Sequence, residues 1–497
     1  MRILFVLLAA LILALPAGAQ EKVLKWGGDA NSGAPYVFQD PDQPDHVMGV
    51  EYDIAGAIAA AMGRKAQFVQ NEWGSLVPGL QIGLYDAVIN GLEITPEHLA
   101  AVDFSLPYYV TYAQFAIRRG EPPIEDLAGA KGKTVGTLKA SQAEMLLNQA
   151  GNITVRTYDQ EINAYDDLRN GRIDAVLLDA PIAIYYAGPD RALQLVGRPV
   201  GRIEYGVAVR KGNTELLAEI NQAIATIRQS GRLREILDSW NLWSPVMADF
   251  TGDRRAMTAQ PTNYDAYVAA TRPQGWQARA ERYLAFLPAI GKAAITTIQI
   301  SIVSMALAIF LGALLALARV YGNRFVSGLA LVYIETVRGT PLLIQILFIY
   351  YGLPNIGIKL DPFLAGVIAL GFNYAAYEAE NYRAGLLAVS RQQYEAAIAL
   401  NMTERQALRH VVIPQAVRLV LPPTTNDFIS LLKDSSLVSV ITMVELTQTY
   451  VQLSTTYYDY FGTGILIGAV YLLIGLPFVR LARWTEARMH KAYQRGK

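Results

Sequence analysis

No cysteine occurs in the 497 residues, which excludes disulfides, thiolate metal sites and a lipidated N-terminal cysteine. Histidine is nearly as scarce. His46, His98, His410 and His490 are the four, and they do not cluster in the sequence, so no histidine-rich metal centre is expected. Net charge is also missing: 43 Lys and Arg balance 43 Asp and Glu, so no whole-chain field draws the molecule to nucleic acid, and no nucleic-acid partner is expected. A phosphate-binding loop is absent too. Gly132-Lys133-Thr134 mimics the end of one, but Leu127 stands where the loop requires its first glycine, so the segment is a turn leading into a strand. The chain is expected to carry no ATPase, no catalytic residues and no cofactor of its own. Finally, 21–243 contains no apolar run long enough to cross a membrane, so that stretch is read as soluble.

A hydrophobic content of 52% suits a chain that is part soluble and part membrane, and the length is too great for one core. Segment 1–19 has the form of a signal peptide. Arg2 supplies the positive start, 3–15 the apolar stretch, and Ala17-Gly18-Ala19 a small-x-small cleavage site. The apolar stretch is too short for a bilayer crossing of ~20 residues. Residues 20–243 alternate strand-like runs (23–26, 87–89, 134–136, 174–178) with helical ones (52–62, 143–149), an α/β pattern. The pattern is lost over 244–285, where Pro, Gly, Thr and charges mix; this reads as a linker with one interfacial helix carrying Trp276 and Tyr283.

Uncharged windows follow at 293–318, 339–358, 362–377 and 460–479. An exported start and a basic, cytoplasmic end require an odd number of crossings. A fifth helix is therefore placed at 413–446, where Pro422, Pro423, Asp427, Lys433 and Asp434 depress the hydropathy. Loop charges agree with this topology: Arg319 and Arg324 mark 319–324 as inside, and 446–458 has no Lys or Arg.

Residues 392–414 read QQYEAAIALNMTERQALRHVVIP. Glu395-Ala396-Ala397, three residues, Asn401, nine residues and then Val411-Val412-Ile413-Pro414 resembles the EAA motif of ABC import permeases. That resemblance implies a cytoplasmic coupling helix docking into a separate ATPase. The two alanines give a slim, helix-favouring face that a partner can approach, and Asn401 replaces the family's glycine at a left-handed turn. YIETVRGTPLLIQ (333–345), AAYEAENYRAGL (375–386) and IPQAVRLVLPPTTNDFISLLKDSSL (413–437) stand in the order of the polar-amino-acid permeases.

In the first half, MGVEYDIAGAIAAAMG (48–63), WGSLVPGLQIGLYDAVINGLEITPEH (73–98), VDFSLPYYV (102–110), KGKTVGT (131–137), NGRIDAVLLDAPIAIYY (170–186) and YGVAVRKGN (205–213) resemble the amino-acid-type periplasmic solute-binding proteins in order and spacing. The implied fold is multidomain. A two-lobed α/β binding domain (20–243; lobe one 21–111 plus 204–243, lobe two 112–203) precedes an all-α transmembrane domain of about five helices (286–490) and a short tail (491–497).

The resemblance places the solute between the lobes. Asp179 matches the carboxylate that receives an ammonium group, Trp73 the apolar wall, Asn90 and Gly91 polar and backbone contacts, and Ser141 with Gln142 the anion-binding start of a helix. His98 stands where the family has the arginine that forks onto the solute carboxylate, and Glu93 where it has Ser or Thr. Both changes disfavour an anionic group and point to a cationic one near Glu93, such as a basic amino acid bound in a shifted pose or an amine without the α-carboxylate. A protonated His98 that holds an ordinary amino acid is the alternative, and Lys139 could supply the lost cation.

In the membrane half, Glu335, Arg338, Glu380, Arg383, Asp427, Lys433 and Asp434 are costly at membrane depth; they are candidates for a dimer interface, a permeation path or internal ion pairs. The reading is the binding and permease subunit of an ABC importer for a small polar solute, an amino acid or related amine. It would be homodimeric in a bacterial inner membrane, with the binding domain outside and the C-terminus in the cytoplasm. A ligand-gated channel or membrane-bound sensor is the competing class. The channel would need a filter such as TVGYG, and the sensor an output domain, whereas only the short stretch 480–497 follows the last apolar window.

Overall fold

The structure, a computed structural model, describes residues 22–494 apart from 32, 41–42, 44–45, 272–274 and 458, with side chains to 484. Segment 1–19, expected to be a signal peptide, lies outside the described residues, as do the side chains of the basic tail beyond 484. Two five-stranded sheets build the first half. In lobe one the order is Lys65–Gln70, Val23–Gly28, Ala87–Val88, Ala208–Arg210 and Val102–Phe104; the first three strands run parallel. Lobe two orders Leu193–Tyr205, Tyr109–Arg118, Ala175–Asp179, Thr134–Leu138 and Thr154–Tyr158. The central strand Ala175–Asp179 is buried along its whole length, which its AVLLD composition allows.

The long strands Tyr109–Arg118 and Leu193–Tyr205 pair antiparallel from Leu193 opposite Arg118 to Tyr205 opposite Tyr109. At the Tyr205 end, a bridge from Tyr205 to Glu93 carries the pairing into lobe one. A two-strand crossing of this kind lets one lobe rotate on the other by small backbone changes at few residues.

Residues 244–285 depart from expectation. Rather than a tether, the segment forms helices Pro245–Thr251 and Thr262–Thr271 packed on the binding half, then opens the long helix Trp276–Tyr321, which carries both Trp276 and Tyr283. Met247 and Tyr267 are buried, and the Tyr267 ring lies 5.5 Å from Phe38 of lobe one and 5.0 Å from Tyr185 of lobe two. Between the two helices, Asp238 Oδ2 accepts both the N–H and the hydroxyl of Thr258, at 2.7 and 2.8 Å. Isolated apolar residues in a polar sequence gave no periodic signal, yet Met247, Tyr267 and Val268 find hydrophobic slots once the lobes are formed.

The second half is helical. Trp276–Tyr321 and Tyr460–Trp484 are each long and apolar enough to cross a membrane. The 339–358 window is not a straight span: Arg324–Arg338 and Leu342–Ile356 form a pair bent by 105° at Gly339-Thr340-Pro341. Pro362–Ala388 and Ile413–Asp434 complete a set compatible with five crossings; the second accommodates Pro422 and Pro423 and ends in a 3-10 stretch, Ser435–Ile441, short of the expected 446. Small residues let the helices approach. A Cβ on Gly312 would sit 2.7 Å from that of Glu378, so the contact between Trp276–Tyr321 and Pro362–Ala388 needs glycine there.

Candidate functional site

Between the lobes lies a cleft lined by Tyr36, Trp73, Asn90, Gly91, Glu93, Leu138, Ser141, Asp159, Glu161, Asp179 and Ile182. Almost every polar member stands just past the C-terminal end of a strand, where the chain turns toward its helix and side chains converge. Asp179 ends Ala175–Asp179, Asp159 and Glu161 follow Thr154–Tyr158, and Asn90 to Glu93 follow Ala87–Val88. Asp29, immediately after Val23–Gly28, stands behind Trp73 and accepts its N–H at 2.8 Å.

Six of the eight residues expected at the solute site line the cleft: Trp73, Asn90, Gly91, Glu93, Ser141 and Asp179. Gln142 reaches it only through its backbone, and that contact revises the expectation. Ser141 caps helix Gln142–Ala150, and the Gln142 N–H at its start donates to Glu93 Oε2 at 2.6 Å. The helix N-terminus expected to bind a solute anion is thus filled by the protein's own carboxylate. Glutamate is longer than the family's Ser or Thr and reaches across from lobe one.

His98 is not in the cleft. Its Nδ1 lies 2.8 Å from the Glu93 carbonyl oxygen and its ring faces Phe104, so the imidazole props the Glu93 loop rather than the solute. Imidazole is too short to follow the path an arginine would take. Lys139 is exposed and also stays out of the cleft.

Other backbone donors are occupied in the same way. Gly91 N–H donates to Glu51 Oε1 at 2.6 Å, and the Tyr108 hydroxyl donates to the same oxygen. The Asp29 N–H donates to Asn90 Oδ1 at 2.8 Å. Asp179 accepts from the hydroxyls of Tyr205 and Tyr36, which themselves lie 2.7 Å apart. The Tyr36, Tyr205, Asp29, Glu51, Asp159 and Glu161 roles were missed from sequence. Carboxylates placed just after strand ends were the available signal for Asp29, Asp159 and Glu161; nothing local marks the tyrosines.

This is a nest of acids among few cations. Glu93 and Asp179 are 2% and 7% exposed. Burial, then the charge of Asp179, holds Glu93 well above the usual carboxylate range against the pull of the Gln142 N–H. Burial raises Asp179 against its two tyrosine hydroxyls. Burial, reinforced by Asp29 and Asp179, pushes Glu161 up to about 8, and burial pushes Glu51 up to about 7.

The raised values set a sign. In the unfolded chain a glutamate gives up its proton around 4.5, whereas in the folded domain Glu161 keeps its proton until about 8. The folded state therefore holds the extra protons, and stability is present at low pH and lost as pH rises from about 4.5 to 8. A cation in the cleft favours the ionised carboxylates. Its affinity is expected to rise across pH 6 to 8, by about tenfold per pH unit for each proton released. Calorimetry in buffers of different ionisation enthalpy checks this; binding that releases no proton would contradict it.

In the membrane half, Arg338, Asn373, Tyr374, Tyr377, Asp427, Ser430 and Asp434 line a cavity of about 550 Å³ beside the bend of the broken helix pair. The Tyr374 hydroxyl donates to Asp434 at 2.7 Å, Asn381 to Asp427 at 2.7 Å, and Arg338 sits over the Tyr377 ring. Arg383 pairs with Glu380 at 2.7 Å, while Glu335 and Lys433 are exposed on their helices.

The segment expected to couple to an ATPase forms helix Arg391–Ala399, with Glu395 exposed and paired to Arg391 at 2.9 Å. Asn401 takes φ +65°, the left-handed turn that ends the helix. Ala396 is exposed but Ala397 is 3% exposed, turned inward by the ~100° step between helical neighbours, so only the first alanine lies on the outer face.

Comparison with known proteins divides the chain as its fold does. The family of bacterial extracellular solute-binding proteins, family 3, matches residues 24–242, and that of binding-protein-dependent transport system inner membrane components matches 308–491. The probable amino-acid ABC transporter permease protein PatM of Vibrio harveyi is 34% identical over 43% of this chain and 96% of its own length. The glutamine transport system permease protein GlnP of Escherichia coli is 34% identical over 41% and 94%. An ancestral arginine-binding protein bound to arginine is 33% identical over 44% of this chain and 98% of its own, with a TM-score of 0.41. This membrane-embedded chain belongs to the permease subunits of binding-protein-dependent ABC importers and carries a family 3 solute-binding domain in the same polypeptide.

Proposed function

We propose that the chain captures a cationic amine related to the amino acids outside a bacterial inner membrane and passes it inward through a homodimeric path. A separate ATPase, docked on Arg391–Ala399 at the cytoplasmic face, would drive the cycle, and this chain would hydrolyse no ATP itself. The observation that carries the solute class is the fate of the backbone donors. Gly91 and Gln142, the N–H groups that would receive a solute carboxylate, are bonded to Glu51 and Glu93, and no Lys or Arg lines the cleft among the described residues. What the cleft offers a solute includes Trp73, whose ring stacks on cations and apolar stems, carboxylate oxygens that accept, and the side chains of Asn90 and Ser141.

A solute carboxylate here would be buried without a compensating cation, beside backbone donors that are already taken, and each neighbouring acid that ionised would repel it. The membrane cavity carries two acids, Asp427 and Asp434, against one base, Arg338, a balance that favours the same cation. Calorimetry of the purified chain with matched pairs, agmatine against L-arginine and cadaverine against L-lysine, tests the reading. The amine of each pair is expected to bind at least tenfold tighter; tight binding of L-glutamine or L-glutamate would overturn the proposal.

A further inference from the structure

Each lobe of the binding half has a hydrogen-bonded contact with the membrane half. On lobe one, the Tyr351 hydroxyl of the bent helix region donates to Asn71 Oδ1 at 2.9 Å. Asn71 is buried and held by its other end, since its Nδ2 donates to the Ser75 carbonyl at 2.9 Å and to Tyr85 at 3.1 Å. Nearby, Leu84 packs both into the lobe-one cluster and into the membrane cluster that holds Tyr350 and Ile346. On lobe two, Tyr460, the first residue of the last membrane helix, packs against the binding-half core and places its hydroxyl 3.4 Å from Gln160 Oε1.

Between the two feet stands helix Leu446–Tyr457, which packs on strand Phe38–Gln39 and helix Thr262–Thr271 of the binding side and on both long membrane helices. Its start is pinned by Glu445, which accepts the N–H groups of Thr447 and Gln448 at 2.8 Å each. Just after it, Asp459 accepts the Tyr283 hydroxyl.

We propose that the binding domain stays seated on the permease helices of its own chain, lobe one through Asn71 on Tyr351 and lobe two through Gln160 on Tyr460, and does not dock and leave. Three observations converge on this. The linker is folded onto the lobes and is not a free coil, so it gives the domain little room to swing away. Both lobes have a foot on the same permease chain. Each foot also adjoins a wall of the solute cleft: Trp73 lies two residues after Asn71, and Glu161 one residue after Gln160. Opening or closing the cleft must then change the separation of Tyr351 and Tyr460, and with it the bent pair relative to the last helix. This inference concerns the seat of the domain and holds whatever the solute proves to be.

The test uses the full chain in lipid nanodiscs with a protease site inserted at 272–274, cut after reconstitution. The released N-terminal fragment is expected to remain on the discs through dilution to nanomolar concentration. Tyr351→Ala/Tyr460→Ala should increase its loss at least tenfold. Complete loss of the native fragment on dilution would overturn the proposal. Because the alanine variant could disturb the helices themselves, a second measurement uses the absence of cysteine. Asn71→Cys/Tyr351→Cys and Gln160→Cys/Tyr460→Cys, treated with a short bis-maleimide, should each join the two cut fragments on a denaturing gel. In discs that mix tagged and untagged chains, fragments joined within one chain support the seat. Links found only between different chains, or a missing link at either pair, refute it.

Discussion

Glu93→Ser is expected to reverse the solute preference of the cleft. In the native chain the Glu93 carboxylate crosses between lobes and takes the Gln142 N–H at the start of helix Gln142–Ala150. Serine is too short to make that bond, so the substitution frees the helix N-terminus, removes a buried acid beside Asp179 and leaves a hydroxyl that donates. All three changes favour a solute carboxylate. L-Arginine should gain, and agmatine lose, enough that their ratio moves by about 100-fold, which is about 2.7 kcal/mol at about 1.36 kcal/mol per tenfold. Glu93→Gln is the informative partner. It keeps the reach but loses the charge, so it should weaken agmatine while leaving L-arginine little improved. A Glu93→Ser chain whose ratio stays within threefold of the native one would show that Glu93 is not the selector.

Ala396→Asp is expected to uncouple solute binding from ATP hydrolysis. Ala396 and Glu395 lie exposed on helix Arg391–Ala399, far in sequence from the cleft, and a charge on this slim face would meet the partner ATPase at its docking surface. Solute-stimulated hydrolysis by the reconstituted complex should fall at least tenfold, with solute affinity unchanged. Glu395→Ala should act in the same direction without harming the fold, because its exposed pair with Arg391 adds little stability. Ala397→Asp would fail for a different reason, since Ala397 is turned inward and a buried unpaired charge disrupts the segment. Stimulated hydrolysis that survives both Ala396→Asp and Glu395→Ala would place the coupling contact elsewhere.

The contrast between Ala396 and Ala397 shows where local reading stops. Motif spacing marked 392–414 as the proposed coupling segment, and Asn401 was legible as its left-handed turn because few residues other than glycine tolerate positive φ. Which alanine faces outward depends on the packing of helix Arg391–Ala399 against the following turn at Leu408–Val412. The same limit hid the folded linker. Met247, Tyr267 and Val268 are too sparse to make a periodic stripe, and their slots exist only between finished lobes.

By itself, the sequence determined the order of an α/β half and a helical membrane half, since hydropathy and strand–helix alternation are local properties that survive without contacts. It also determined the acid-rich character of the site: Glu93 and Asp179 are carboxylates wherever the chain places them. Only the tertiary structure decided that Glu93 occupies the Gln142 helix start, 49 residues along the chain, that His98 turns away, and that Gly91 spends its N–H on Glu51, 40 residues back. Tertiary structure likewise decided that the 339–358 window is half of a bent pair. Hydrogen-bond donors are used up by whichever acceptor reaches them, and reach across a cleft is set by how two lobes close, which no local pattern encodes.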